Sequence, residues 1–117
     1  MKLLFERSVS GRHLDLIPDS DTCRHLYILR LDSKKLKTDR RKFFDAMGAE
    51  GICCNVHYIP VYYFPHYKSL GYEKGLCPNA EALYEEIMSL PLYYGLSDDE
   101  QGDVIEAVKK LIDYYHI

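Results

Sequence analysis

Apolar and polar positions divide the chain into segments of distinct type. His25-Leu26-Tyr27-Ile28-Leu29-Arg30-Leu31 is aromatic, β-branched and almost unbroken in apolar character, which predicts a well-buried strand. A basic run from Lys34 to Lys42 follows, within which Thr38 or Asp39 can cap a helix extending to about Ala49. Phe43, Phe44 and Met47 give that helix one apolar stripe, and Gly51 ends it. Ile52 to Val61 predicts a second strand. Ile52, Cys54, Val56 and Tyr58 share one face of it, and Cys53, Asn55, His57 and Ile59 the other. Pro60 cannot donate to a ladder, so regular pairing should stop near it. Tyr62-Tyr63-Phe64-Pro65-His66-Tyr67 then predicts an aromatic loop that continues through Gly71, Gly75 and Pro78.

The remainder predicts two helices. Asn79 is a good cap for the first, where Ala80, Leu83, Tyr84, Ile87 and Met88 recur at helical spacing until Pro91. Ser97 and Glu100 form an S-x-x-E capping box for the second, whose stripe is Val104, Ile105, Val108, Leu111, Ile112 and Tyr115. Two strands alone make a marginal sheet, so a third short one is expected near Leu90–Tyr93. The elements together predict an α+β fold: a small two-layer sandwich, a short, mostly antiparallel sheet with helices on one face. Residues 1–24 are polar, hold Gly11 and the turn-rich Pro18-Asp19-Ser20-Asp21, and read as a poorly ordered lead-in or linker. The domain proper is counted as 22–117, with 1–21 ahead of it.

Composition narrows the function classes. The chain has 117 residues, a one-domain length, and 47% apolar with 28% charged residues is an ordinary globular balance. Fifteen basic against 18 acidic side chains leave a formal charge of -3, which argues against a dedicated nucleic-acid binder. No apolar run approaches the ~20 residues of a membrane-spanning helix. Met1-Lys2-Leu3-Leu4-Phe5 is cut short by Glu6 and Arg7, so it does not read as a secretion signal. Cys23, Cys53, Cys54 and Cys77 are too few and too irregular for a disulfide-stapled domain, which fits reduced thiols in a cytoplasmic setting.

Asn55-Val56-His57-Tyr58-Ile59-Pro60-Val61-Tyr62 is the most informative stretch, because a proline-terminated strand feeding a loop sets polar groups at an element end. Spacing alone favours the plainer reading, a structural His57 and a tyrosine cluster belonging to the core. A zinc site drawn from Cys54 and His57 with Cys23 and His25 lacks a second proper pair of ligands. A Cys nucleophile with His57 has no identifiable orienting residue. The basic run is most simply the solvated start of a helix, although it could meet phosphate groups.

The order of these motifs adds a resemblance. His25-Leu26-Tyr27 opens a strand and Asp39-Arg40-Arg41-Lys42-Phe43-Phe44 a helix. Asn55 to Tyr62 precedes Pro65-His66-Tyr67 and Leu70-Gly71-Tyr72, then Cys77-Pro78-Asn79-Ala80-Glu81, Ser89-Leu90-Pro91-Leu92-Tyr93 and Asp103-Val104-Ile105. This resembles the C-terminal small domain of the DegT/DnrJ/StrS family of sugar aminotransferases, especially its pseudaminic acid and spore-coat polysaccharide subgroup. The resemblance implies a fold type I enzyme, usually a homodimer, with pyridoxal phosphate held in a large domain that carries the Schiff-base lysine. It implies no cofactor bound by this chain alone, no catalytic residue in it, and no activity in isolation. It further implies that His57, Tyr58, Ile59 and Pro60, with Tyr62 following, border a UDP-linked 4-keto-6-deoxy sugar. The expected partners are that sugar nucleotide, the large domain and a homodimer partner, with self-association of the isolated domain. Nucleic acid and membrane are not expected. The alternative is a free-standing module that binds a sugar nucleotide or a protein without catalysis.

Overall fold

A computed structural model of the chain describes residues 25–32 and 34–117, together with the backbone of 14–16. β1 (Leu14–Leu16), β2 (Tyr27–Leu31) and β3 (Ile87–Leu90) form a three-stranded antiparallel sheet in the order β1-β2-β3. In register, Leu16 faces Leu29, and Tyr27 faces Leu90. β1 lies inside the segment read from sequence as an irregular lead-in. Its three residues find their partner only across the sheet, so nothing local announces the strand. The turn-rich run Pro18 to Asp21 lies outside the described residues.

Strand alternation sorts the sheet into two faces. Tyr27, Leu29 and Leu31 are buried on one, together with Met88 and Leu90. α1 (Arg40–Ala49) and α4 (Asp98–Tyr115) cover that face, and their stripes supply Phe43, Met47, Val104, Ile105, Val108, Leu111 and Ile112 to a single core. Both helices start as the sequence predicts. The Lys42 N–H donates to the Asp39 carboxylate at 2.8 Å. The Glu100 N–H donates to the Ser97 hydroxyl at 3.3 Å while the Ser97 N–H donates to the Glu100 carboxylate at 2.9 Å. Tyr115 is half-buried, its ring 6.2 Å from that of Phe43. The α+β two-layer arrangement is the expected one.

Two elements differ from expectation. α3 (Pro78–Glu86) begins after Cys77 rather than at Asn79, with Pro78 in its first turn, and it ends before Ile87. The third strand is therefore Ile87–Leu90, not Leu90–Tyr93. Ile87 and Met88 fit a helical stripe and a buried strand equally well, and pairing with β2 decides for the strand. The second difference is at 52–61, which makes no continuous strand. It meets the sheet at one bridge: the Asn55 N–H donates to the Ser89 carbonyl at 3.0 Å and the Ser89 N–H to the Asn55 carbonyl at 2.7 Å. Burial alternates as predicted from Ile52 to Val56 and stops doing so at His57, which is itself half-buried.

Candidate functional site

The sheet's second face carries Ile28, Arg30, Ile87 and Ser89. Arg30 reaches Glu86 at the end of α3, Nε to carboxylate 2.7 Å. Ser89 has both main-chain groups turned to Asn55, and the residue is only 4% exposed. The covering group is His57: its Nδ1 lies 2.8 Å from Ser89 Oγ, the hydrogen belonging to whichever partner the imidazole tautomer dictates.

From this anchor the proline-ended segment runs outward. Tyr58 stands edge-on to the His57 ring, centroids 4.6 Å apart, and is 75% exposed. Ile59 is half-buried and Pro60 buried. Pro60 caps a 3-10 turn, Val61–Tyr63, which leads into α2 (Pro65–Ser69). The predicted aromatic loop is thus partly helical. Tyr62 and Tyr63 meet edge-on at 5.2 Å, and both are half-buried. Of the five residues singled out from sequence, His57 and Tyr62 are tied down by side-chain hydrogen bonds, Tyr58 is open to solvent, and Ile59 and Pro60 fill the space between.

Spacing did not single out Glu81. This carboxylate on α3 is buried, and one of its oxygens accepts from the Tyr62 hydroxyl at 2.7 Å and from the Gly75 N–H at 2.6 Å. The Tyr62 hydroxyl is the larger influence holding the Glu81 carboxyl below its ordinary value, against burial, with the Gly75 N–H adding to it. Burial first, then that carboxylate, pushes the Tyr62 hydroxyl up, so it remains a donor. Gly75 has a φ of 100°, a conformation that favours glycine, and this turn aims its N–H at the carboxylate. The faint sequence signal is a carboxylate in the first turn of a helix that follows a glycine-bearing loop.

The exposed edge offers an imidazole, phenolic hydroxyls and flat aromatic faces, the chemistry that binds a sugar hydroxyl or a nucleobase. It is an open surface. The hollow of about 520 Å³ walled by Cys53, Leu92, Tyr93, Leu96 and Val104 lies elsewhere. Cys54, half-buried, has its thiol pushed up to about 11 by burial and by Cys53, so it is a poor nucleophile. Cys23, the other half of the zinc spacing, lies outside the described residues. A Schiff-base lysine is normally set in a desolvated site. Among the described residues every lysine but Lys109 is exposed, and Lys109 is half-buried, so these lysines do not fit pyridoxal phosphate. No helix among the described residues is long and apolar enough to cross a membrane.

Comparison with known proteins places the fold. SpsC of Bacillus subtilis, a spore coat polysaccharide biosynthesis protein, is 43% identical over 90 residues, 75% of this chain and 23% of that protein. Spr1654 of Streptococcus pneumoniae, described as a sugar aminotransferase, superposes in its apo-form with a TM-score of 0.84 at 29% identity, over 97% of this chain and 29% of that one. PseC of Helicobacter pylori, an aminotransferase involved in the biosynthesis of pseudoaminic acid, shares the fold, with a TM-score of 0.85 at 21% identity over 97% of this chain and 31% of that one. The chain thus spans about a quarter of the length of the curated relatives it matches. The profile of the DegT/DnrJ/EryC1/StrS aminotransferase family matches residues 5–109, and to that family this chain belongs.

Proposed function

We propose that the chain is the C-terminal, substrate-contacting domain of a pyridoxal-phosphate nucleotide-sugar aminotransferase, with residues 57–62 facing a UDP-linked 4-keto-6-deoxy sugar. The reaction would serve cell-surface polysaccharide or pseudaminic acid biosynthesis. When bound, pyridoxal phosphate supplies the electron sink for amino transfer. This chain's part is to bind and orient: Tyr58 offers a face and a hydroxyl, and Ser89 holds the tilt of His57 beside it. The cofactor and its lysine belong to a large domain ahead of this one, and the whole enzyme pairs as a homodimer, so the chain alone is inactive. Residues 1–21 then join that domain to this one, with β1 as their contribution to the small-domain sheet.

The observation that carries this reading is the openness of the His57–Tyr58 edge on a fold shared with sugar aminotransferases. The test is a two-dimensional NMR titration of the chain with UDP-N-acetylglucosamine. Roughly millimolar binding, with shifts confined to 57–62 and its neighbours, is the expected result. Shifts elsewhere only, or none at saturating ligand, refute the site. An absorbance scan with pyridoxal phosphate should show no stoichiometric Schiff-base band, and such a band would refute inactivity in isolation.

A further inference from the structure

A single oxygen of Glu81 accepts from two points of the chain, the Tyr62 hydroxyl and the Gly75 N–H. Between those points run the 3-10 turn, α2 and the exposed rings of Phe64, Tyr67 and Tyr72. None of these has a side chain in the main core, so the loop lacks the apolar burial that fixes the rest of the fold. The carboxylate is compensated by these two donors, by the nearby Tyr63 side chain and Cys77 main chain, and by its place in the first turn of α3. A buried charge satisfied in this way holds its donors more tightly than a neutral acceptor does.

We propose that Glu81 is a positioning residue, a clasp whose one oxygen closes the loop between Tyr62 and Gly75 and so fixes the orientation of the aromatic edge. The consequence for ligand binding rests on the reading of 57–62 as the substrate-facing edge, while the clasp itself does not. Through Tyr62, two residues beyond the buried Pro60, Glu81 sets where the segment leaving His57 and Tyr58 ends.

Amide hydrogen exchange and NMR of the chain test this with three variants. In Glu81→Ala the Gly75 amide should exchange about tenfold faster or more, since hydrogen bonds to charged groups are the stronger class. The Tyr62 ring signals should move while α4 amides keep their protection within about twofold. Glu81→Gln retains an oxygen acceptor without the charge and should restore part of the Gly75 protection. Tyr62→Phe should leave Gly75 protected but free the ring. An unchanged Gly75 amide in Glu81→Ala overturns the clasp, as does acceleration spread evenly through α4 and β2, which marks general destabilisation. UDP-N-acetylglucosamine separates the two claims. If the wild type shows no shifts at 57–62 while the exchange results hold, the function fails and the clasp stands. If the wild type binds and Glu81→Ala binds equally well, the positioning role is overturned.

Discussion

Replacing Ser89 by Ala probes the anchor of the site. Ser89 is 4% exposed with its hydroxyl 2.8 Å from His57 Nδ1, so deletion leaves a nitrogen of the half-buried His57 facing a methyl group. The Asn55 bridge is made by main-chain atoms and survives, as does the pairing of Ser89 with Ile28. The cost is that of one neutral hydrogen bond, about 1 kcal/mol with a range of roughly 0.5–1.5. For a domain of this size it corresponds to a fall in Tm of roughly 3–6 °C. Urea unfolding of wild type, Ser89→Ala, His57→Ala and the double variant isolates the pair, with an expected coupling of about 1 kcal/mol. The imidazole nitrogen resonances of His57 should also move in Ser89→Ala as Nδ1 loses its hydrogen-bond partner. Coupling within ~0.3 kcal/mol of zero, together with unchanged ring resonances, would refute the claim that Ser89 orients His57.

Other perturbations follow from the same structure. Phe43 of α1 is fully buried with its ring near Tyr115 of α4, so Phe43→Ala should cost about 3–5 kcal/mol in a urea melt, and a loss below ~1 kcal/mol would contradict the packing. The folded Glu81 carboxyl titrates below the ordinary glutamate value of 4.5. Its stabilising effect is therefore fully present above pH 4.5 and is lost as pH falls through the folded value. Gly75 amide protection followed from pH 6 to about 3, corrected for intrinsic exchange, should fall over that range, and a flat profile would contradict it. Cys54, pushed up to about 11 from 9.0, carries about a hundredfold less thiolate than an ordinary thiol at pH 8. Mass spectrometry after brief iodoacetamide treatment should therefore find the exposed Cys53 and Cys77 alkylated first, and preferential labelling of Cys54 would refute its burial.

The residue-level signals that held are those settled within one turn of chain. Asp39 and Ser97 cap their helices because the capped N–H groups lie three residues away, and the stripes of α1 and α4 face the sheet because helical spacing aligns them. The α+β class and the place of His57 to Tyr62 at the end of an extended segment were legible in the same way. Tertiary structure decided the rest. Ile87 and Met88 satisfy a helical stripe as well as a strand, and only β2, some sixty residues earlier, makes the strand the better-bonded choice. β1 exists because β2 has a free edge for it, and Ile52–Pro60 stays a single bridge. Ser89 with His57, and Glu81 with Tyr62 and Gly75, are contacts whose members come from separate parts of the chain. Chain order states which groups are available. Which donor meets which acceptor depends on how the sheet and α3 bring distant backbone together, and no periodicity encodes that distance.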